Sequence, residues 1–351
     1  MKDFLIVGFG LAGMSMASVL ERRERSFRVV DTPTPDAHRV IGGMYNPVIL
    51  KRFSPAWQAH EMWQQSVKTY RWFEQKFQQT FIKPFDIYRI LHSVEEQNNW
   101  VVASDKAVMN QYMLTPVKPN FINGIEAPYG LGQLHNVGRV EGELILAHYN
   151  KYLREQQLLH DVTFDYADLV IKEDHVDYHG EIYRHVIFAE GSYIAHNPFF
   201  NYLPMKVSKG EMLIIHVPDL SLNDTIKSKV FMVPFGQQLF IVGSTYHWDD
   251  TTHLLTAKGQ EELESKLKKF LKLPYTVMDY KAGVRPTVSD RRPLLGQHPQ
   301  YQPLYVLNGL GTRGIIYAPA LAETLYEMIV SHKPVDEAMH IGRFKQHYQY
   351  Q

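Results

Sequence analysis

A chain of 351 residues is long for one hydrophobic core and implies two cooperating domains, while 45% apolar and 21% charged residues exclude a disordered or fibrous chain. Lysine plus arginine and aspartate plus glutamate balance at 37 each, so no net field steers the chain toward a polyanion and nucleic acid is not an expected partner. Cysteine is absent, which excludes disulfides, thiolate nucleophiles and cysteine-zinc sites.

The amino terminus reads Met1-Lys2-Asp3 and then only the short apolar run Phe4-Leu5-Ile6-Val7, too short for a signal peptide, and no stretch elsewhere approaches membrane-spanning length. A cytoplasmic location and no membrane partner are expected. Residues 3–7 predict a buried parallel strand. Gly8-Phe9-Gly10-Leu11-Ala12-Gly13 follows and fits G-x-G-x-x-G, and 14–20 reads as a helix whose small Ala12, Gly13 and Ala17 allow close packing on the sheet. A second strand at 27–30 ends in Asp31, followed by Thr32, where an acid accepts hydrogen bonds from an adenosine ribose. The glycines permit a tight turn and close backbone approach, and the helix start offers unpaired N–H groups to a pyrophosphate. By itself the motif does not decide between NAD and FAD. The charged run 21–25 reads as a solvated face.

Residues 54–79 predict a long helix with an aromatic stripe, Trp63, Tyr70, Phe73 and Phe77, that belongs in a core. A second helix is predicted at 142–157, then strands at 162–164 and 185–188, the latter leading into Ala189-Glu190-Gly191 as a return to the first sheet. Short strands at 212–216, 231–234 and 239–243 predict an antiparallel sheet of the kind that forms a substrate domain. A charged helix at 261–271 and a strand at 278–283 carry the chain to Arg285. His175 and His179 are four residues apart in a strand-like region, where that spacing is no ligand geometry, so no metal site is expected.

A second glycine match lies near the carboxyl end: a strand at 304–307, the turn Gly309-Leu310-Gly311-Thr312-Arg313-Gly314, and a helix at 315–330. The chain ends before the further strand and acid that a second nucleotide unit needs. One extended FAD accounts for both matches, with one helix start at its pyrophosphate and the other at the flavin pyrimidine carbonyl.

With these segments in place, the sequence resembles the FAD-dependent oxidoreductases of the D-amino-acid oxidase and glycine oxidase superfamily. The resemblance rests on the first glycine turn, Arg39-Val40-Ile41-Gly42-Gly43-Met44, Ala189-Glu190-Gly191, Ala282-Gly283-Val284-Arg285-Pro286, Asp290-Arg291-Arg292-Pro293-Leu294-Leu295-Gly296, and the terminal turn. It implies an α/β fold: a Rossmann-like FAD domain from 1–50, 135–200 and 283–351, and an antiparallel-sheet substrate domain from 51–134 and 201–282. It also implies that Arg39, Val40, Gly42, Gly43 and Met44 run alongside the flavin, that Val170 lies near the adenine, and that Gly309 to Ile315 cap the pyrimidine end. Gly283 and Arg285 fall at the flavin and substrate, where Arg285 matches the arginine that grips a substrate carboxylate. Relatives add a tyrosine there, but Phe231 stands in its place, and Tyr246 is the candidate substitute. Lys229 is expected on the strand facing the flavin as an aid to oxygen reduction, with O2 or another molecule as electron acceptor. His38 is offset from the position of flavin-bonded histidines, so noncovalent FAD is expected.

The implied activity is oxidation of the C–N bond of a small amine or amino acid by hydride transfer to flavin N5, which needs positioning more than a side-chain base. The terminal turn with Ala318-Pro319 is also similar to the oxidase half of the bifunctional enzymes that trim carboxymethylaminomethyl-uridine in transfer RNA. A tRNA-modifying oxidase and a non-catalytic flavin-binding module therefore stay open beside the small-substrate reading.

Overall fold

The computed structural model describes residues 1–32 and 43–348. Its first sheet is built on five parallel strands in the spatial order Leu304–Asn308, Glu181–Phe188, Lys2–Val7, Phe27–Asp31 and Leu159–Asp161. Such strands are covered on both faces, which is why they read as continuous apolar runs: Ile6, Val29, Ile187 and Leu307 are all fully buried. Antiparallel Leu294–Gln297 and the hairpin of Leu169–Ile171 with Val176–Tyr178 complete the sheet. The helices Leu11–Arg22, Ala59–Phe77, Gly142–Glu155 and Gly314–Ser331 share one core on one face of this sheet.

The helix Gly314–Ser331 carries Pro319, which has no N–H to give to the carbonyl of Ile315. Helix Ala59–Phe77 makes good the loss, since the buried Tyr70 hydroxyl donates to the Ile315 carbonyl at 2.8 Å and the Ser66 hydroxyl to that of Ile316 at 2.6 Å. The start of the terminal helix is thereby pinned from below. The charged run at 21–25 is not merely solvated: Glu21 accepts from Lys76 and from the hydroxyls of Tyr149 and Tyr152, while Arg22 pairs with Glu323, so it ties four helices together.

The second sheet runs Thr276–Arg285, Ser208–His216, Leu239–Gly243, Phe231–Gly236, Thr225–Lys227, Ile82–Ile90, Leu131–Val140 and Met44–Tyr45, with Met113–Lys118 also on Leu131–Val140. Its strands alternate with period two. Leu213, Ile215, Met232, Phe240 and Val242 point into a core shared with helix Ala257–Lys268, while Met212, Phe231, Val233 and Ile241 line a cavity on the other face.

Several elements differ from the sequence reading. The helix expected at 54–79 begins at Ala59, because Ser54–Pro55 hairpins with Val48–Ile49. The strand expected at 162–164 is Leu159–Asp161, the segment with a buried leucine, whereas Val162 is largely exposed. The expected segment boundaries cut through continuous elements: Leu131–Val140 and Thr276–Arg285 each run unbroken in the second sheet, Met44–Tyr45 also belongs to that sheet, and Ala59–Phe77 packs on the first. No helix among the described residues is long and apolar enough to cross a membrane.

Candidate active site

In a parallel sheet the ligand crevice lies beyond the carboxyl ends of the strands, where the turns present open backbone groups. Here a cavity of about 1480 Å³ occupies that position. Typical small-molecule pockets reach roughly 1,000 Å³, so there is room for a large cofactor and a small substrate together. Its walls come from the segments after all five parallel strands and from the open face of the second sheet.

At one end stand Gly8, Phe9, Gly10, Leu11, Ala12, Asp31 and Thr32. Gly8 has φ +96°, and a side chain there would also meet the Ala189 carbonyl oxygen at 2.7 Å. Gly13 lies behind the wall, where any β-carbon would run into the carbonyl of Gly8; its part is to let the helix approach the turn. The helix cap Gly10 provides no side-chain hydrogen bond, so the first-turn N–H groups stay open toward the cavity. Asp31 accepts from the Phe9 N–H at 2.9 Å, and burial raises its carboxyl to about 6. Val170 does not line the cavity: it sits on the outer hairpin about half exposed, and its neighbour Leu169 is buried in the core of the sheet. Thr163, Phe164 and Tyr166 form that wall instead. No motif marks them in the sequence.

Ala189, Glu190 and Gly191 line the middle, and the Asn308 side chain donates to the Gly191 carbonyl at 2.9 Å, joining this turn to the terminal one. Glu190 is held by Tyr166 and Asn197, and burial raises its carboxyl. Gly309 and Gly311 have φ of +72° and +56°, and Leu310, Thr312, Arg313, Gly314 and Ile315 complete the wall. The terminal helix, like the first, starts without a side-chain cap. Gly43 and Met44 also line the cavity, whereas His38, Arg39, Val40 and Gly42 lie outside the described residues.

At the far end, Arg285 ends its strand and reaches over Gly210 to donate to the Ser244 hydroxyl at 2.6 Å. A β-carbon on Gly210 would collide with the guanidinium. The Tyr246 ring lies 4.5 Å from the guanidinium carbon and stacks on it, leaving its hydroxyl uninvolved in any bond to Arg285. Burial lowers the guanidinium's proton affinity, Nη1 is buried without a hydrogen-bond partner, and among the described residues no carboxylate pairs with Arg285. Gly283 and Phe231 line the same region. Lys229 lines it too, but in the bend after Thr225–Lys227 and exposed, not on a strand; Lys227, at the end of that strand, also lines the cavity, is partly buried and carries no mark in the sequence. Among the described residues no cluster of three or more histidine or acidic side chains is placed for a metal ion, and His175 and His179 flank the strand Val176–Tyr178.

Comparison with known proteins matches residues 3–328 to the family model described as FAD dependent oxidoreductase (DAO). The chain is 23% identical over 237 residues to a glycine oxidase of Bacillus subtilis, covering 62% of this chain and 63% of that protein. It is 24% identical over 369 aligned positions to the tRNA 5-methylaminomethyl-2-thiouridine biosynthesis bifunctional protein MnmC of an Azoarcus species, covering 92% of this chain and 56% of that protein. The chain thus spans less than two thirds of either relative. Among solved structures, glycine oxidase from Geobacillus kaustophilus superposes with a TM-score of 0.77 at 19% identity, covering 98% of this chain and 97% of that one, a likeness of fold.

Proposed function

The chain belongs to the DAO family of FAD-dependent oxidoreductases, and from that premise we propose that it oxidises the carbon–nitrogen bond of a small amine or amino acid bearing a carboxylate. The observation that carries this reading is the guanidinium of Arg285, buried at the cavity wall with Nη1 unpartnered and no counter-ion among the described residues. A buried charge without a partner is costly. Elsewhere in the same sheet the cost is met: buried Lys209 pairs with Asp250 at 2.6 Å and Glu211 at 3.2 Å. A bound carboxylate would meet it for Arg285, taking two parallel hydrogen bonds from the planar fork.

We assign the uncapped start of helix Leu11–Arg22 to the pyrophosphate of noncovalently bound FAD, and Asp31 to its ribose. The glycine turn 309–314 and the uncapped start of helix Gly314–Ser331 are assigned to the flavin pyrimidine end. When bound, FAD supplies the two-electron acceptor. The protein's own work is positional: Arg285, set by Gly210 and Ser244 and covered by Tyr246, fixes one end of the substrate, and Met212, Phe231 and Ile241 keep an apolar wall beside it.

The test is anaerobic bleaching of the bound flavin by a panel of glycine, sarcosine and D-amino acids, in wild type and Arg285→Ala. Loss of a charge-assisted pair in a closed site costs on the order of 2–5 kcal/mol, roughly 30- to several-thousand-fold in kcat/KM, with flavin content unchanged. Arg285→Lys should recover only part, since lysine lacks the planar fork. Equal bleaching rates in wild type and Arg285→Ala would sink the assignment.

A second reading, action on a modified uridine in tRNA, is favoured by exposed cations at the cavity wall. Lys51, Arg52 and Arg291 all line it. Tight tRNA binding that survives moderate salt, together with bleaching by carboxymethylaminomethyl-uridine but not by free amino acids, would put this reading first.

A further inference from the structure

The far end of the cavity holds a second cation that the carboxylate anchor does not use. In the second sheet Gly243 stands opposite Phe231, and Phe231 opposite Lys227. Lys227 thus stands on one side of Phe231, and on the other stands Gly243, followed at once by Ser244, which holds Arg285. The Lys227 ammonium lies 4.5 Å from the centre of the Phe231 ring, and its hydrogen-bond acceptor is the Lys229 carbonyl at 3.3 Å. No carboxylate pairs with Lys227 or Lys229 among the described residues, and both line the cavity.

The groups around this corner sharpen the imbalance. Arg89, Lys229 and Lys266 all act on Lys227 as like charges, and His92 lies close by, against Ser228. The nearby carboxylates are already engaged: Glu96 holds the Arg89 guanidinium at 3.2 Å, and Glu262 holds Lys266 at 2.5 Å and faces His247 at 3.4 Å. Burial, then these cations, bring the Lys227 amine down to about 7. An anion arriving here restores the ammonium and supplies the missing partner.

Resting on the reading of Arg285 as a carboxylate anchor, we propose that the substrate carries a second anionic group, a carboxylate or a phosphate, which Lys227 and Lys229 bind across Phe231 from Arg285. Their strands, Thr276–Arg285 and Thr225–Lys227, lie four places apart in the sheet, but the Arg285 guanidinium reaches Ser244 just past Leu239–Gly243 and the Lys227 ammonium lies against Phe231 of the adjoining strand, which leaves a gap of roughly 5–10 Å between the charged ends that a short diacid spans. The exposed Lys51, Arg52 and Arg291 form a separate set, because Lys227 lies inside, against the Phe231 ring.

The test is a titration of the FAD-loaded protein, followed by perturbation of the flavin spectrum, with butyrate, glutarate and 4-phosphonobutyrate, none of which has a C–N bond to oxidise. One of the two dianions should bind about tenfold more tightly than butyrate, the gain of one charge-assisted hydrogen bond, and which of them does so separates a carboxylate from a phosphate. Lys227→Met should bring that ratio to within about twofold, and Lys227→Arg should keep most of it; Lys229→Met, at an exposed site, provides a second variant where Lys227→Met fails to fold. Equal binding of all three acids in wild type, with all weakened by Arg285→Met, overturns the second anchor and leaves the first standing. Constants that ignore Arg285→Met remove the reading on which it rests. Displacement of butyrate by a tRNA, with no preference for either dianion, assigns the lysines to a polymer and also overturns the proposal.

Discussion

The two ends of the cavity are made of different material. At the end proposed for the nucleotide the wall is backbone: the turns at Gly8–Ala12, Ala189–Gly191 and Gly309–Gly314 present N–H groups and two uncapped helix starts, and the carboxylates there are tied down, Asp31 to the turn through Phe9 and Glu190 to Tyr166 and Asn197. At the end proposed for the substrate the wall is side chain: Arg285, Ser244, Tyr246, Phe231 and Lys227 come from separate strands and bends, brought together only by antiparallel register. A backbone site tolerates no new atom and is fixed by the sheet beneath it. A side-chain site is set by which residues face inward, so one substitution changes what it accepts without touching the fold.

That contrast predicts its largest effect at Gly13. Any β-carbon there meets the Gly8 carbonyl, a backbone atom that cannot step aside without moving the strand end and the turn. Gly13→Val should therefore lose bound FAD and much of the stability together, a core clash costing several kcal/mol where about 1–3 is usual for overpacking. Flavin absorbance per chain after gel filtration and the thermal midpoint are the readouts. A yellow, stable Gly13→Val protein would mean the helix and turn are not in the contact described.

The same contrast explains what the sequence disclosed. Strand, glycine turn, helix and Asp31 lie within one contiguous stretch, because a turn that joins a strand end to a helix start is local in the chain, and the terminal turn is local for the same reason. The five parallel strands are legible as apolar runs, except that the fifth, Leu159–Asp161, lies just ahead of the run at 162–164. By contrast, the segment from Ile82–Ile90 to Met113–Lys118 mixes polar and apolar residues on half-buried strands and carries no clear period. Lys227 reads as an ordinary polar strand end until register sets Phe231 beside it, and Ser244 has no motif at all. Tyr166 and Phe164 face the cavity from an irregular segment that no pattern marks, whereas Val170 was carried over by resemblance and lies on the outer hairpin.

At the substrate end the matching test is Gly210→Ala. The nearest atoms a new methyl would strike there all belong to the Arg285 guanidinium, the far end of a flexible side chain, so the strand survives and the guanidinium is pushed off Ser244. Flavin content and thermal midpoint should stay near wild type while kcat/KM for a carboxylate substrate falls about 10- to 100-fold. A double-mutant cycle checks the cause: adding Gly210→Ala to Arg285→Ala should cost little more than Arg285→Ala alone. If the two losses add, Gly210 acts by another route.

The smallest effect is expected where the two materials meet, at Asp31, a side chain embedded in a backbone site. Burial raises its carboxyl to about 6 from an ordinary 3.8, against a partial offset from the Phe9 N–H, with Asp161 pushing it further up and Arg154 drawing it down. Between these two values the folded apoprotein binds more protons at this group than the unfolded chain. Its contribution to stability is therefore fully present below about pH 4 and is lost as the pH rises through about 6. Asp31→Asn removes the titration, so apoprotein stability should lose this downward step, a relative gain on the order of 1–3 kcal/mol above pH 6. FAD should reverse the ranking, because asparagine is a weaker acceptor for a ribose hydroxyl than a carboxylate, and the variant should bind FAD about tenfold less tightly. Urea midpoints of wild type and Asp31→Asn apoprotein at pH 4, 6 and 8, with and without added FAD, read both effects. Parallel pH profiles for the two apoproteins would show that Asp31 is not desolvated in the folded chain, and unchanged FAD affinity would show that it makes no bond to the cofactor.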